Sequence, residues 1–294
     1  MPNIDDRDGV IWHNGEFVPW REGKVHILTH ALHYASSVFE GGRCYGGKVF
    51  KLREHCQRLI DSATALDFEI PYSLDEIEQA TRDTIAEQGF TDAYVRPIAW
   101  RGSEVMGVAA PESRINLAIA AWEWPSYFSP DARLKGIRLC TAAWRRPPPE
   151  CAPVTSKAAG LYMIMTLAKH AALADGYDDA LTLDWRGRIA ETTGANIFLA
   201  QDGELHTPIP DCFLDGITRR TVIELARARG ISVVERVLMP DEFERADEVF
   251  VTGTAIEVTP INEIDHHRFQ VGPITRALIE DYDALVRTSH TNSH

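Results

Sequence analysis

The chain has 294 residues, 45% of them hydrophobic and 25% charged, and a formal net charge of −13. That length buries a sizeable core in two domains or one large one, so neither disulfides nor a structural metal is needed for stability. With 43 acidic residues against 30 basic ones, and no basic run longer than an Arg pair, the sequence argues against nucleic acid or an anionic membrane as a partner.

The first residues, Met-Pro-Asn-Ile-Asp-Asp-Arg-Asp, lack the apolar run of a signal peptide. No stretch approaches the roughly 20 apolar residues that span a bilayer. The cysteines Cys44, Cys56, Cys140, Cys151 and Cys212 are scattered, with no C-x-x-C pair. They suit a reducing compartment and offer no zinc site, so the expectation is a cytoplasmic protein without a metal. Residues 11–18 carry Asn14-Gly15 between short apolar runs, the signal of a two-residue hairpin. Residues 52–66 place Leu52, Cys56, Leu59, Ile60, Ala63 and Leu66 on one helix face. A second helix opens on a capping box, Ser73 to Glu76, and stops at Gly89. Two strands follow at 93–100 and 115–124, rich in β-branched and aromatic residues.

A Pro-bearing, aperiodic stretch then separates two expected domains, 1–127 and 136–294, with 128–135 as the linker. Beyond it, 157–174 reads as an Ala-rich helix ended at Gly176. Strands are expected at 180–184, 196–200 (closed by Asp202-Gly203), 232–237 and 248–252, and a helix at 218–229 is stopped by Gly230. The last residues, 288–294, read as a polar tail. Strands and helices alternating in both halves indicate an α/β protein of two domains.

There are only six lysines: Lys24, Lys48, Lys51, Lys135, Lys157 and Lys169. Five lie near other charges or on solvated helix faces. Lys157 lies between Pro153-Val154-Thr155-Ser156 and Ala158-Ala159-Gly160, neighbours that are small, apolar or uncharged. Poor hydration favours a neutral, nucleophilic amine, as Schiff-base chemistry requires. A lysine snorkelling from a helix start is the commoner use of the same pattern. Downstream, Asp215-Gly216-Ile217-Thr218 aims backbone N–H groups and a hydroxyl outward at a helix start, and Thr252-Gly253-Thr254-Ala255 ends a strand in a second small-residue turn. Each alone is an ordinary turn. Together, downstream of an isolated lysine, they point to a held phosphate, for which sequence spacing does not choose the arginine.

Seven ordered motifs carry a family resemblance over residues 11–274, nearly the whole chain. His30-Ala31-Leu32-His33-Tyr34 and Val38-Phe39-Glu40-Gly41, with Arg43 and Tyr45, resemble the early motif of branched-chain aminotransferases of pyridoxal-phosphate fold type IV. Arg53-Glu54-His55 with Gln57-Arg58-Leu59, Ala93-Tyr94-Val95-Arg96-Pro97, and Lys157 with Gly160 and Tyr162 are similar to the family in turn. So are Glu191 with Gly194 and Asn196, Gly216-Ile217-Thr218-Arg219, and Gly253-Thr254-Ala255 with Glu257 and Thr259-Pro260.

The resemblance implies a two-domain α/β (α+β) fold: a smaller N-terminal domain and a larger C-terminal cofactor domain with a barrel-like sheet. It implies pyridoxal 5'-phosphate as cofactor and ping-pong transamination of leucine, isoleucine and valine with 2-oxoglutarate. Lys157 would form the Schiff base and shuttle the proton between Cα and C4′. Glu191 would pair with the pyridine nitrogen, keeping it protonated. Arg58 would bind the phosphate, with Ile217, Thr218, Gly253 and Thr254 at the neutral donors. Tyr162 would meet the phenolic oxygen and Leu214 the ring face. Phe39, Val108, Trp124, Tyr127 and Tyr162 match the apolar substrate walls, and Tyr34 and Arg96 the distal carboxylate of glutamate. Tyr94, with the backbone of Thr254 and Ala255, matches the α-carboxylate site. The family's active site is completed in a homodimer, with hexamer assembly left open; Tyr34 and the loop Met106-Gly107-Val108 would come from the neighbouring chain.

Two departures bear on substrate range. Gly42 replaces a branched apolar residue, which is expected to loosen packing beneath the substrate. Glu191-Thr192-Thr193-Gly194-Ala195-Asn196 replaces the commoner Glu-Gly-x-Gly-Glu-Asn, adding β-branched bulk. The rival activities on the same fold are D-amino-acid or (R)-amine transamination and aminodeoxychorismate lyase chemistry. Tyr94-x-Arg96 and Trp124 argue against them. A cofactor-binding protein without turnover would lack the base or the ring-nitrogen partner, and Lys157 and Glu191 are both present.

Overall fold

The computed structural model describes residues 3–124 and 134–288. These divide into two compact units, 3–124 with 156–160, and 134–155 with 161–288. The first unit is built on a seven-stranded antiparallel sheet of β1 (Val10–His13), β2 (Glu16–Pro19), β3 (Ser37–Phe39), β4 (Gly42–Tyr45), β5 (Lys48–Val49), β6 (Ala93–Arg101) and β7 (Ile115–Glu123). Its order is β2-β1-β7-β6-β4-β5, with β3 also on β6. Asn14 and Gly15 both adopt positive φ, 51° and 99°, the turn that matches strand twist between β1 and β2. β6 and β7 pair along their whole length, from Ala93↔Glu123 to Arg101↔Ile115.

The period of two then sorts the residues by face. Val95, Ala99, Leu117, Ile119 and Ala121 bury one face of the sheet in a core with Cys56, Leu59, Ile77 and Ile85. Those last four come from helices α2 (Leu52–Ala65) and α3 (Leu74–Gln88), which follow a short α1 (His30–Tyr34). The capping box at α3 is formed: Glu76 N–H donates to Ser73 Oγ at 3.3 Å, and Ser73 N–H donates to the Glu76 carboxylate at 2.7 Å. Tyr94 and Arg96 alternate with the core residues and belong to the opposite face of the sheet.

The second unit holds a nine-stranded mixed sheet: β8 (Ile137–Arg146), β9 (Asp179–Asp184), β10 (Ile189–Thr192), β11 (Asn196–Gln201), β12 (Glu204–Pro208), β13 (Val233–Arg236), β14 (Glu248–Gly253), β15 (Glu257–Ile264) and β16 (His267–Arg268). Six of these strands close into a ring, β10-β9-β8-β15-β14-β11, because β10 pairs with β11 as well as with β9. The closing contact is the pair Glu191↔Asn196. Alternate residues of the ring strands, among them Leu139, Leu181, Ile197, Leu199, Val249, Val251 and Ile261, form its buried core. Helices α4 (Tyr162–Ala174), α5 (Ile217–Ala228) and α6 (Pro273–Thr288) belong to the same unit. The barrel-like sheet is thus present. No described helix is long and apolar enough to cross a membrane.

Two differences from the sequence reading matter. Lys157 is not in a helix: α4 begins at Tyr162, after a 3-10 turn at Ala159–Leu161. Lys157 instead lies in extended backbone, its carbonyl accepting Phe39 N–H at 3.2 Å, while Ala158 bridges Val38. Sheet pairing there overrides the helix propensity of the Ala-rich run. Strands β8, β10, β12 and β15 and helix α6 have no counterpart among the elements expected from sequence. β10 has four residues and β15 contains Pro260, a residue that argues against a strand when only the sequence is read.

Candidate active site

In the first unit, the reactive side chains gather around one aromatic ring. Strand β3 ends in Phe39, and the backbone pairing just described brings residues 156–160 alongside it. Lys157 Nζ lies 5.0 Å from the Phe39 ring centroid, and the Arg96 guanidinium carbon lies 4.7 Å from the same centroid. Lys157 N–H also donates to Ser62 Oγ of α2 at 3.0 Å, which fixes the backbone beneath the amine. Arg96 Nη2 donates to the Tyr94 hydroxyl at 3.2 Å. Tyr94 in turn packs between Trp122 and Trp124, 5.3 Å from each ring. The result is an apolar aromatic wall carrying one amine, one guanidinium and one phenol. Its entrance needs Gly41: a Cβ there would lie 1.8 Å from the Tyr94 oxygen, so any side chain would displace Tyr94.

Arg58 is held by a buried carboxylate. It lies on α2, with Nε 2.5 Å from Glu40 Oε1 and Nη2 3.0 Å from Glu40 Oε2. Glu40 is 0% exposed, and it also accepts from His55 Nδ1 at 2.8 Å. Burial by itself raises the pKa of Glu40, but the Arg58 charge and the His55 hydrogen bond outweigh it and hold the carboxyl well below the usual range. His55 is pushed below its ordinary value, chiefly by burial and further by Arg58 and Lys157, against the pull of Glu40. His55 is therefore neutral and donates its Nδ1–H. Glu40 and His55 belong to the motifs that carry the family resemblance, yet nothing in the sequence showed that they clamp Arg58. That arginine, 17% exposed, resembles a surface residue in the sequence alone.

Tyr34 ends α1, half exposed, with its ring 4.7 Å from that of His30. His30 is buried and bonds Ser36 Oγ at 2.6 Å and the Gly107 carbonyl at 2.8 Å. It thereby ties α1 to the loop carrying Val108, which is 83% exposed. Tyr127 lies outside the described residues.

In the second unit, strand register sets Glu191 level with Asn196 and Thr252. Glu191, Asn196 and Thr252 are register partners on three adjacent strands, Glu191↔Asn196 and Asn196↔Thr252. Asn196 Nδ2 donates to the Leu214 carbonyl at 2.9 Å, while its Oδ1 would lie only 2.1 Å from a Cβ at Gly216. Only glycine fits there. Gly216 is the N-cap of α5 and offers no capping side chain, so no side chain caps the first turn that Ile217 and Thr218 open. Gly253 packs on the Gly194 carbonyl, 3.2 Å from where its Cβ would be, which brings the turn of Thr254 and Ala255 to the same level. The buried Thr252 Oγ1 has no hydrogen-bond partner among the described residues. Tyr162 opens α4, partly buried.

Both departures from the family pattern are satisfied locally. At Gly42 a Cβ would lie 2.8 Å from Val49 and 2.9 Å from Val95, so those valines fill the space and the packing is not loosened. Thr192 N–H donates to the Ala195 carbonyl at 2.8 Å, and Thr193 Oγ1 donates to Asp179 at 2.5 Å. The β-branched bulk is thus tied down by hydrogen bonds. One residue escapes the sequence reading altogether: Arg146, buried at the end of β8, with Nε 3.5 Å from Glu191 Oε1. It is one of 24 arginines, and no spacing distinguishes it.

Comparison with known proteins places the chain in a family. The family model of class IV amino-transferases matches residues 37–264. A branched-chain-amino-acid aminotransferase of Pseudomonas aeruginosa is 42% identical, the alignment covering 99% of this chain and 97% of that one. Among solved structures, a T.th. branched-chain amino acid aminotransferase with pyridoxamine 5'-phosphate superposes with a TM-score of 0.93 at 40% identity, covering 97% of this chain and 96% of the other. A Thermoproteus uzoniensis branched-chain aminotransferase with norvaline superposes at 0.92 and 36%, covering 97% of each.

Proposed function

Because the chain belongs to the class IV amino-transferase family, we propose that it is a pyridoxal-phosphate-dependent branched-chain amino acid aminotransferase. It moves the amino group of L-leucine, L-isoleucine or L-valine to 2-oxoglutarate, giving the branched 2-oxo acid and L-glutamate. The observation that carries this reading is the Phe39 ring with Lys157 Nζ at 5.0 Å and the Arg96 guanidinium at 4.7 Å. An amine beside an apolar wall, with an anion-binding fork at its edge, suits a pocket that must take an aliphatic side chain and a carboxylate in turn.

The residues fit the cofactor. A helix start uncapped by any side chain and a buried Thr252 hydroxyl without a partner among the described residues offer neutral donors for a phosphate. Arg58, fixed by Glu40, supplies the cation, and Ile217, Thr218, Gly253 and Thr254 the neutral side. Glu191 is assigned to the ring nitrogen, Tyr162 to the phenolic oxygen and Leu214 to the ring face. The cofactor, when bound, supplies an electron sink for the negative charge left at the substrate Cα. Lys157 carries it covalently, and its amine, once displaced by substrate, takes the Cα proton and returns it at C4′.

Tyr94 and the backbone at Thr254 and Ala255 orient the α-carboxylate. Phe39, Trp124 and Tyr162 exclude water from the apolar side chain. Arg96 and Tyr34 receive the distal carboxylate of glutamate. The exposure of Tyr34 and Val108 in the single chain supports a homodimer, in which a second copy contributes both. The cytoplasm is the compartment that suits five free cysteines and a soluble amino-acid substrate.

The test is a half-reaction followed in the visible spectrum of the purified, cofactor-loaded protein. L-leucine should bleach the visible band, and 2-oxoglutarate should restore it. Silence with L-leucine and bleaching by D-alanine or (R)-1-phenylethylamine would move the enzyme to a sister activity of the family.

A further inference from the structure

We infer that Arg146 is a positioning residue for this reaction: it holds the Glu191 carboxylate charged and in place, so that the proton shared with the cofactor's ring nitrogen rests on the nitrogen. The inference depends on the assignment of Glu191 proposed above.

Arg146 ends β8 opposite Asp184 of β9, and Glu191 lies on β10, paired with Thr182 on the other side of β9. The side chain is 4% exposed, against 12% for Glu191, and the Nε–Oε1 separation is 3.5 Å. Nε also donates to the Cys212 carbonyl at 3.0 Å, and Nη2 to the Val154 carbonyl at 3.1 Å. Asp184, the other buried carboxylate nearby, is engaged by Arg186 at 2.6 Å, so the acid that meets Arg146 is Glu191. Tying Val154 to Cys212 needs only neutral donors. A full positive charge, costly to bury, is offset by a buried negative one.

The charge has a chemical consequence. A proton between a pyridine nitrogen and a carboxyl group has two placements: on nitrogen it leaves an ion pair, and on oxygen it leaves both groups neutral. A cation beside the carboxylate stabilises the ion pair and biases the proton toward nitrogen. A protonated ring nitrogen withdraws more charge from the substrate Cα as its proton leaves. The bonds to the Cys212 and Val154 carbonyls fix the guanidinium itself, so its charge stays 3.5 Å from the Glu191 carboxylate.

The experiment compares Arg146→Met, Arg146→Lys and Glu191→Gln, and combines each Arg146 variant with Glu191→Gln. The readouts are affinity of the cofactor-free protein for pyridoxal phosphate, the visible spectrum of the holoenzyme, the half-reaction rate at saturating L-leucine, and melting temperature. Arg146→Met should slow the half-reaction and weaken cofactor binding by about tenfold or more, with a shifted visible band. Arg146→Lys keeps the charge but not both carbonyl bonds, so its band and rate should return to within about threefold of the parent while its melting temperature stays low. In the Glu191→Gln background either Arg146 substitution should cost less than about twofold in rate, because the two residues act as one unit.

Losses that multiply in the double variants would overturn the proposal, as would a lysine variant as slow as the methionine one. Should Arg146→Met fail to fold, a loss of rate of about tenfold or more in Arg146→Lys would overturn the proposal by itself, since that variant keeps the charge. A parent protein that takes up the cofactor but is inert to L-leucine would overturn the substrate reading only. The visible band and cofactor affinity of the variants would still report on Arg146.

Discussion

The two units hold their polar residues by different means. In the first unit the sheet is open, and its functional side chains are fixed by other side chains: Arg58 by Glu40, Glu40 by His55, and Arg96 by Tyr94. In the second, the sheet closes on itself, and backbone register sets the level of Glu191, Asn196 and Thr252 before any side chain contributes. A closed ladder cannot slip without breaking every pair around the ring. An open sheet leaves its loops free to be shaped by ion pairs. In the open sheet side-chain contacts set these positions, and in the ring the strand register sets them.

Three predictions test that contrast, beginning with the largest effect. Lys157→Ala removes the amine that the open-sheet unit presents, and transamination should fall by about three orders of magnitude or more. The visible band of the holoenzyme should vanish with it, and a variant with normal turnover in a coupled assay would break the assignment.

The second prediction sets one clamp against the other. Glu40→Gln leaves a buried, partly uncompensated cation and should cost about 3–5 kcal/mol of stability. Asn196→Ala loses one hydrogen bond to the Leu214 carbonyl, while the strand ladder remains, and should cost about 1–3 kcal/mol. Chemical denaturation of both variants measures the difference. A larger loss for Asn196→Ala would mean that the ring, too, depends on its side chains.

The smallest effect concerns pH. His55 titrates below its ordinary value of 6.5 in the folded protein, because of burial first. The unfolded chain therefore binds the proton more readily, so stability is full above that value and declines as pH falls below it. Glu40, depressed as well, adds its own loss only below about 4.5, its ordinary value. His55→Gln should flatten the fall in melting temperature between about pH 7 and pH 5 relative to the parent. An unchanged slope would assign the acid sensitivity to other groups.

Several elements were legible because their signals are local. The Asn14-Gly15 hairpin, the Ser73 to Glu76 capping box and the stop at Gly89 each involve residues within a few positions of one another. The apolar face of α2 and the strands β6 and β7 followed from period alone. Of the candidate site, the gathering of Lys157, Phe39, Tyr94 and Arg96 was anticipated through ordered motifs. The clamp on Arg58 and the approach of Arg146 to Glu191 were not, because both join residues far apart in sequence and of common types.

The sequence by itself determined the family and the chemistry, and it singled out Lys157 as the lysine to test, since rare residues in ordered motifs survive translation into one dimension. The tertiary structure alone decided that Lys157 lies in extended backbone beside β3 rather than on a helix, that Glu191↔Asn196 closes the ring, and that Gly42 leaves no void. The physical reason is common to all three. Pairing, closure and packing are energies between residues distant along the chain, and a local pattern carries no record of which partner arrives.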